Sequence, residues 1–193
     1  MLDKIIKEAT GAVSAAIQGA GDIVGSVTST VKDQVVSVIS GTGEVVGSTV
    51  EAIASVASGS AKAAGEVGSS VTETVSGTMS GVVKGVASVG GDVTGAVFAA
   101  AKGVVQGTAE TGGDIGQAAV SAVEGAIKSA GDVGADTAEA AKSAVGGAMN
   151  AATSVGGGAV STVRDALVNA AALPRDVVES AIKGSDSGEK VSK

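Results

Sequence analysis

The sequence lacks cysteine, histidine, tryptophan and tyrosine, and Phe98 is its one aromatic residue. Without cysteine there is no thiol chemistry and no disulfide framework. Without histidine as well, the chain has neither the usual general base near neutral pH nor the usual ligands of transition metals. We therefore expect no enzyme activity, no catalytic residues, no cofactor and no metal site.

Charge and long apolar runs are also scarce. Only 17% of the residues are charged, and 13 basic against 20 acidic residues give a net charge of −7, which argues against nucleic acid as a partner. The longest uncharged segment, residues 143–163, is rich in glycine, serine and threonine, so we expect no transmembrane span. The charged N-terminus does not resemble a signal peptide, and we expect a cytoplasmic protein, peripheral at most on a membrane, droplet or granule.

The chain consists instead largely of alanine, valine, serine and 31 glycines. Apolar residues make up 44% of the sequence, but most are small, so each one buries little surface. Each glycine in a helix interior costs about 0.8–1.0 kcal/mol relative to alanine. We therefore expect a conditionally folded chain, because a helix of this composition does not persist alone in water and requires a partner face.

Acidic residues recur with a period of eleven. Eight of the 20 acids occupy multiples of eleven, where an even scatter would place about two. These acids are Asp22, Asp33, Glu44, Glu66, Glu110, Asp132, Asp165 and Asp176. Eleven residues make three helical turns at about 3.67 residues per turn, so the acids are expected on one outer face. The period predicts an all-α fold, either one long amphipathic helix or helical hairpins.

Valines, isoleucines and glycines supply the candidate functional positions. Valine or isoleucine recurs opposite the acids in steps of four, as in an amphipathic helix. The predicted apolar contact face is Ile23, Val27, Val31, Val45, Val67, Val71, Val75, Val82, Val86, Val89, Val93, Val97, Val104 and Ile115. Small-xxx-small spacing at the flanks would let another backbone or a surface approach closely. The predicted close-packing glycines are Gly77, Gly81, Gly85, Gly91 and Gly95.

Glycine clusters and the single proline divide the chain. We expect an amphipathic start over residues 1–10 and a helical repeat region over 11–163, with hinges near 90–91, 112–113, 146–147 and 156–158. A C-terminal helix over 164–183 is interrupted at Pro174, and residues 184–193 are expected to form a disordered tail. The glycines of VVSVISGTGEVVG, residues 35–47, are spaced as in a phosphate loop. The same spacing recurs at residues 19–25, which indicates packing rather than nucleotide binding.

Residues 82–110, VVKGVASVGGDVTGAVFAAAKGVVQGTAE, resemble the lipid-binding region of the synucleins. The shared features are the eleven-residue period, the K-G-V-V and V-G-G elements, and the valine-, alanine- and glycine-rich composition. Perilipins of lipid droplets are similar in period. The resemblance implies a chain that is loose in water and becomes an extended helix on a lipid surface. The synuclein repeat is lysine-rich, whereas this one is acidic, which argues against binding driven by anionic headgroups.

Three functions are compatible with this pattern. The first is a non-enzymatic coat on a lipid droplet, granule or vesicle, with the valine face in the interface. The second is a self-assembling helical scaffold whose Gly-flanked Val and Ala faces pack as a bundle, tube or filament. The third is a stress or desiccation protectant resembling late-embryogenesis-abundant proteins. The expected partners are a lipid surface or further copies of the chain, in a homo-oligomer or surface assembly.

Overall fold

The structure is a stack of short helices joined by tight turns. A computed structural model describes residues 2–19, 21–42 and 46–188, and all regular structure within that part is α-helical. The helices are α1 (Leu2–Gly19), α2 (Ile23–Thr42), α3 (Val46–Val67), α4 (Val71–Ser88), α5 (Val93–Glu110), α6 (Ile115–Asp132), α7 (Thr137–Val155), α8 (Ala159–Asn169) and α9 (Arg175–Gly188). The prediction of an all-α fold is confirmed, and the chain adopts hairpins rather than one long helix.

The helices form two layers. The odd-numbered helices pack side by side in one layer, and α2, α4, α6 and α8 pack side by side in the other. Each helix also packs across the layers against its neighbours in sequence. The result is a helical solenoid, in which each helix contacts helices one or two places away along the chain.

The structural unit is twice as long as the period of the acids. Helices α4 to α8 begin at Val71, Val93, Ile115, Thr137 and Ala159, so successive starts are separated by twice eleven positions. Three positions before each start stands a glycine whose φ lies between 66° and 79°. These glycines are Gly68, Gly90, Gly112, Gly134 and Gly156. Glycine adopts this left-handed conformation without a steric cost, so one turn geometry recurs along the chain.

Backbone and side-chain hydrogen bonds close these turns. After the turn glycine, the N–H of Gly91 donates to the carbonyl oxygen of Val86 at 3.0 Å, the bond typical of a Schellman motif. Helix α6 starts with a capping side chain: Asp114 Oδ1 accepts from the N–H of Gln117 at 2.9 Å. Capping of this kind satisfies backbone donors that have no partner within the helix.

The multiples of eleven alternate between two environments. Even multiples among the described residues lie at or near helix ends, where Glu66, Glu110 and Asp132 are exposed. Odd multiples lie in the middle of helices, where Ala99 and Ser121 are buried at contacts with other helices. The acids themselves are exposed as predicted, and this includes Asp33 in the middle of α2 and Asp165 in the middle of α8. The phase as a whole is not one outer face, because its small residues pass between packed helices.

The expected boundaries differ from the structure at several places. Glycines 90–91, 112–113 and 156–158 lie in turns, whereas glycines 146–147 lie inside α7. Pro174 stands between the end of α8 and the start of α9, and residues 2–10 belong to an N-terminal helix that extends to Gly19. Residues 184–188, expected to belong to a disordered tail, lie in α9. Met1 and residues 189–193 lie outside the described residues.

Candidate functional surface

The predicted apolar contact face lies largely inside the molecule. Seven of its members are at most 2% exposed: Val27, Val31, Val75, Val82, Val86, Val97 and Val104. Five others are partly buried against this core: Ile23, Val67, Val71, Val93 and Ile115. Val89, in the turn after α4, is 41% exposed because the chain reverses there, and Val45 lies outside the described residues. The valine face is thus mostly buried in contacts between helices of the same chain.

Three of the predicted glycines form the seam between α4 and α2. A Cβ on Gly77 would lie 2.9 Å from Val27 Cβ, one on Gly81 would lie 2.7 Å from the carbonyl oxygen of Thr28, and one on Gly85 would lie 3.1 Å from Val35 Cγ1. Thr28 Oγ1 also donates a hydrogen bond to the carbonyl oxygen of Gly77 across the seam, at 3.2 Å. Side chains at these positions would force the two helices apart.

Glycines recur once per structural unit where each helix meets the preceding helix of its own layer. We call them the crossing glycines: Gly59, Gly81, Gly103, Gly125 and Gly147. Each contacts a residue of the preceding helix in its layer, and the sequence separation is the same in all five pairs. The contacted residues are, in order, Thr10, Lys32, Ala54, Ser76 and Phe98. Only Gly81 belongs to the set predicted from the sequence. A search for glycines at twice the acid period would have found the others.

Two predicted glycines do not lie between helices. A Cβ on Gly91 would meet Val86 of the preceding turn at 2.8 Å, and one on Gly95 would meet only the carboxyl group of Asp92, at 2.6 Å. Their prediction as close-packing positions is wrong, because Gly91 lies in the turn before α5 and Gly95 lies in the first turn of α5, ahead of its crossing with α3.

The glycine pair at 146–147 has a packing role in place of the predicted hinge. Gly147 lies against the carbonyl oxygen of Phe98, and a Cβ on Gly146 would lie 3.5 Å from the Phe98 ring. Gly147 therefore allows the backbone of α5 to approach α7 closely, whereas a side chain at Gly146 would make only ordinary contact with the Phe98 ring. Both glycines lie inside α7.

Two ion pairs lie at the outer surface, one in each layer, and each joins two neighbouring helices of its layer. Lys62 of α3 pairs with Glu110 of α5, and Lys84 of α4 pairs with Asp132 of α6 at 3.7 Å. The second pair is the first one shifted by a single structural unit, so the contact repeats with the fold. Exposed pairs of this type contribute about 0–1 kcal/mol each, and they fix register more than they add stability.

The even-numbered layer carries a polar groove across α2, α4 and α6, with a volume of about 620 Å³. Ser76 and Ser80 of α4 line it together with Thr28 of α2. Lys84 of α4 and Glu124 of α6 add charges of both signs. The groove offers hydroxyl groups and opposite charges to a polar partner. We call it the serine groove.

The carboxylate of Asp136 has a structural role. The pKa of Asp136 is lowered because its carboxylate accepts hydrogen bonds from the backbone N–H groups of Glu139 and Ala138, with a smaller contribution from the charge of Lys142. Asp136 is the N-cap of α7, so this shift reflects helix capping. The described residues contain no group of three or more Asp, Glu, His or Cys arranged to hold a metal ion.

No known family model matches the chain, and no curated protein matches it. One similar solved structure is the crystal structure of the de novo designed helical repeat protein DHR7. The match covers 99% of this chain and 98% of that one, with a TM-score of 0.51 and 18% sequence identity. At this identity the likeness concerns the fold alone, and the chain shares the helical repeat architecture.

No helix within the described ranges combines the length and the hydropathy that a transmembrane span needs.

Proposed function

We propose that this protein is a non-enzymatic helical repeat scaffold that acts through its polar outer surfaces. The observation that carries the proposal is the burial of the valine face: Val27, Val82 and Val97 have no exposed surface. To lay these side chains on lipid, the chain would have to open its helix seams. Contact with lipid would then only replace contacts that the fold already makes. Binding to a lipid surface would therefore lower the free energy of the chain little.

The end helices expose charged residues, although the described surface also includes the partly exposed valines Val24, Val89, Val155 and Val168. On α1 the exposed residues include Lys4, Lys7 and Glu8, and on α9 they include Arg175 and Glu179. Solenoids need end helices with polar outer faces to stay soluble, and α1 and α9 fit that requirement. We infer that copies do not stack end to end, and that the serine groove is the main surface for a partner.

Circular dichroism and light scattering of the purified chain test this proposal. We expect full helix content in buffer, unchanged by vesicles of neutral phosphatidylcholine or by a droplet emulsion. Helix that appears only with lipid would refute the scaffold and support the coat. A species of high mass would refute the inference about the ends while leaving the scaffold in place.

A pair of variants makes the test sharper. Val82→Asp places a charge inside the core, and Ser80→Asp places the same charge in the serine groove of the same helix. In a scaffold, Val82→Asp loses helix in plain buffer and Ser80→Asp keeps it. In a lipid coat, both variants would resemble the parent chain in buffer, and Val82→Asp would lose helix only on vesicles.

A further inference from the structure

The serine groove contains a buried hydroxyl group that the fold does not use. Ser129 of α6 lines the groove and is 2% exposed, and its Oγ forms no hydrogen bond within the described part of the chain. Thr78 Oγ1, which is also buried, instead donates to the carbonyl oxygen of Thr74 at 2.7 Å. Ser129 Oγ is not sealed from solvent as the unpaired Gln34 Oε1 is, so a molecule in the groove can reach it.

Two further hydroxyl groups line the groove from α4. Ser76 and Ser80 lie one turn apart, are half-buried, and make no side-chain hydrogen bond to any described residue. Helices α4 and α6 approach closely here, because a Cβ on Gly125 would lie 3.5 Å from Ser76 Cα, and Ser129 follows Gly125 by one turn. The groove therefore offers three unpaired hydroxyl groups, each able to donate and to accept a hydrogen bond.

The charges that line the groove on α4 and α6 cancel. Lys84 pairs with Asp132 at 3.7 Å. Glu124 is half-buried and Lys128 is exposed, and neither forms an ion pair among the described residues. Asp22, on the α2 side, is exposed and accepts a hydrogen bond from its own helix. A cation between α4 and α6 would meet two lysines and an anion would meet two carboxylates, so this part of the groove favours a neutral molecule.

We propose that the serine groove binds a neutral polyhydroxylated compound, namely a simple sugar. The inference rests on the proposed function, in which this groove is the main surface for a partner. Hydroxyl groups of the sugar accept hydrogen bonds from Ser129 and Lys128 and donate to the carboxylate of Glu124. The volume of about 620 Å³ lies within the range of about 300–1,000 Å³ that small-molecule pockets occupy. The described lining residues include no aromatic ring, so we expect a Kd in the millimolar range.

Three probes with similar rings test the site on the full chain. At mildly acidic pH glucose is neutral, glucosamine is a cation and glucuronate is an anion. Each is titrated and followed by amide chemical shifts in NMR spectra, with circular dichroism of the same samples. We expect saturable shifts confined to residues around the groove, and a Kd for glucose about threefold or more below that of either charged probe.

The outcomes separate this inference from the proposed function. Equal affinity for all three probes, tighter binding of a charged probe, or a helical chain without saturable glucose shifts would overturn the sugar site and leave the scaffold in place. Loss of helix in plain buffer would instead refute the scaffold itself.

Two buried serines provide matched variants. Ser129→Ala removes the unpaired hydroxyl group, whereas Ser60→Ala removes a buried hydroxyl group outside the groove that donates to the carbonyl oxygen of Val56. Ser129→Ala should weaken glucose binding about fivefold, as expected for one lost neutral hydrogen bond, and Ser60→Ala should leave it unchanged. Circular dichroism confirms that both variants fold. Full glucose affinity in folded Ser129→Ala would show that this hydroxyl group does not contact the sugar and would refute the site.

The half-buried carboxylate of the groove has its own variant. Glu124→Gln keeps the size of the side chain and leaves Lys84 and Lys128 in excess over the acids of α4 and α6 that line the groove. Glucuronate should then bind about threefold more tightly than to the parent chain, and glucosamine more weakly. Glu73→Gln is the control, because Glu73 of α4 is exposed and does not line the groove. The same change in both variants, or no change in Glu124→Gln, would contradict binding beside Glu124.

Discussion

The seam between α4 and α2 makes a specific prediction about one methyl group. In Gly81→Ala the added Cβ would lie 2.7 Å from the carbonyl oxygen of Thr28, 2.8 Å from Val31 Cβ and 3.0 Å from the backbone nitrogen of Lys32. Ordinary van der Waals contact begins at 3.4 Å, so α4 would have to retreat from α2 by several tenths of an ångström. Two of these three atoms are backbone, and a rotamer change cannot move them.

The magnitude follows from two opposing effects. Alanine raises helix propensity and stabilises by about 1 kcal/mol relative to glycine. Overpacking of a closely packed interior costs about 1–3 kcal/mol, and here the upper part of that range applies because the obstacle is backbone. We therefore expect Gly81→Ala to lower the free energy of unfolding by about 1–2 kcal/mol.

Another glycine of the same chain supplies the control. Gly11 lies in α1, is exposed, and a Cβ added to it would have no atom of another residue within 4 Å. Gly11→Ala should keep only the gain in helix propensity and stabilise by about 1 kcal/mol. Gly125→Ala should fall between the two variants, because its closest contact, with Met79 Cβ at 3.0 Å, is longer than the closest contact at Gly81, and the backbone atom nearest to it, Ser76 Cα, lies at an ordinary 3.5 Å.

Urea denaturation followed by far-ultraviolet circular dichroism measures all three variants, with the change read from the midpoint at constant slope. The chain has no tryptophan or tyrosine to report by fluorescence, so circular dichroism is the suitable signal. If Gly81→Ala were as stabilising as Gly11→Ala, α4 would not lie on α2 at this distance. The chain would then behave as separate or extended helices, and the reasoning from the crossing glycines would fail.

Three further predictions use the same denaturation assay. Val82→Asp should destabilise by about 4 kcal/mol or more because Val82 is fully buried and a charge there has no partner, whereas Ser80→Asp should change stability by about 0.5 kcal/mol or less. Gly134→Ala should cost about 1–2 kcal/mol because φ is 73° there, whereas Gly131→Ala, with its nearest contact at an ordinary 3.6 Å, should not destabilise; equal effects would contradict the turn geometry. The lowered pKa of Asp136 means that its charge supports α7 above the unfolded pKa and that this support is lost as pH falls through the folded pKa, below 3.8. The stability advantage of the parent chain over Asp136→Asn should therefore shrink between about pH 5 and pH 2, and an advantage independent of pH would refute this role.

Much of the fold was predictable from the amino-acid pattern. Steps of four between Val27 and Val31 predicted a helix and the buried side of that helix, since such steps place side chains on one stripe. The glycine clusters at 90–91 and 112–113 mark turns because their first glycines have positive φ. The valine spacing and the turn glycines act within one helix or one turn, so the local sequence is enough to predict their effect.

Other features depend on which helices meet, and the eleven-residue period does not predict them. Glycines 146–147 resemble 112–113 in sequence, yet they lie against Phe98 of another helix, which is distant along the chain. Likewise, Asp114 shares its phase of the period with Gly103 and Gly125, but it caps a helix while they lie at crossings. One phase of an eleven-residue period therefore alternates between helix starts and helix crossings. The true structural unit appears only when the period is doubled.

The expectation that the helices require a partner face is met within the chain itself. Alanine and valine bury little area each, so the fold depends on close approach between helices, which the crossing glycines allow. Close approach also buries many hydroxyl groups, but Ser60 and Thr108 donate to backbone carbonyls one turn earlier at 3.0 and 2.8 Å, so they remain satisfied. A serine-rich, glycine-rich chain can therefore form a packed interior without leucine or aromatic residues at most contacts. Its outer surfaces then remain free for partners, which is the property that a scaffold needs.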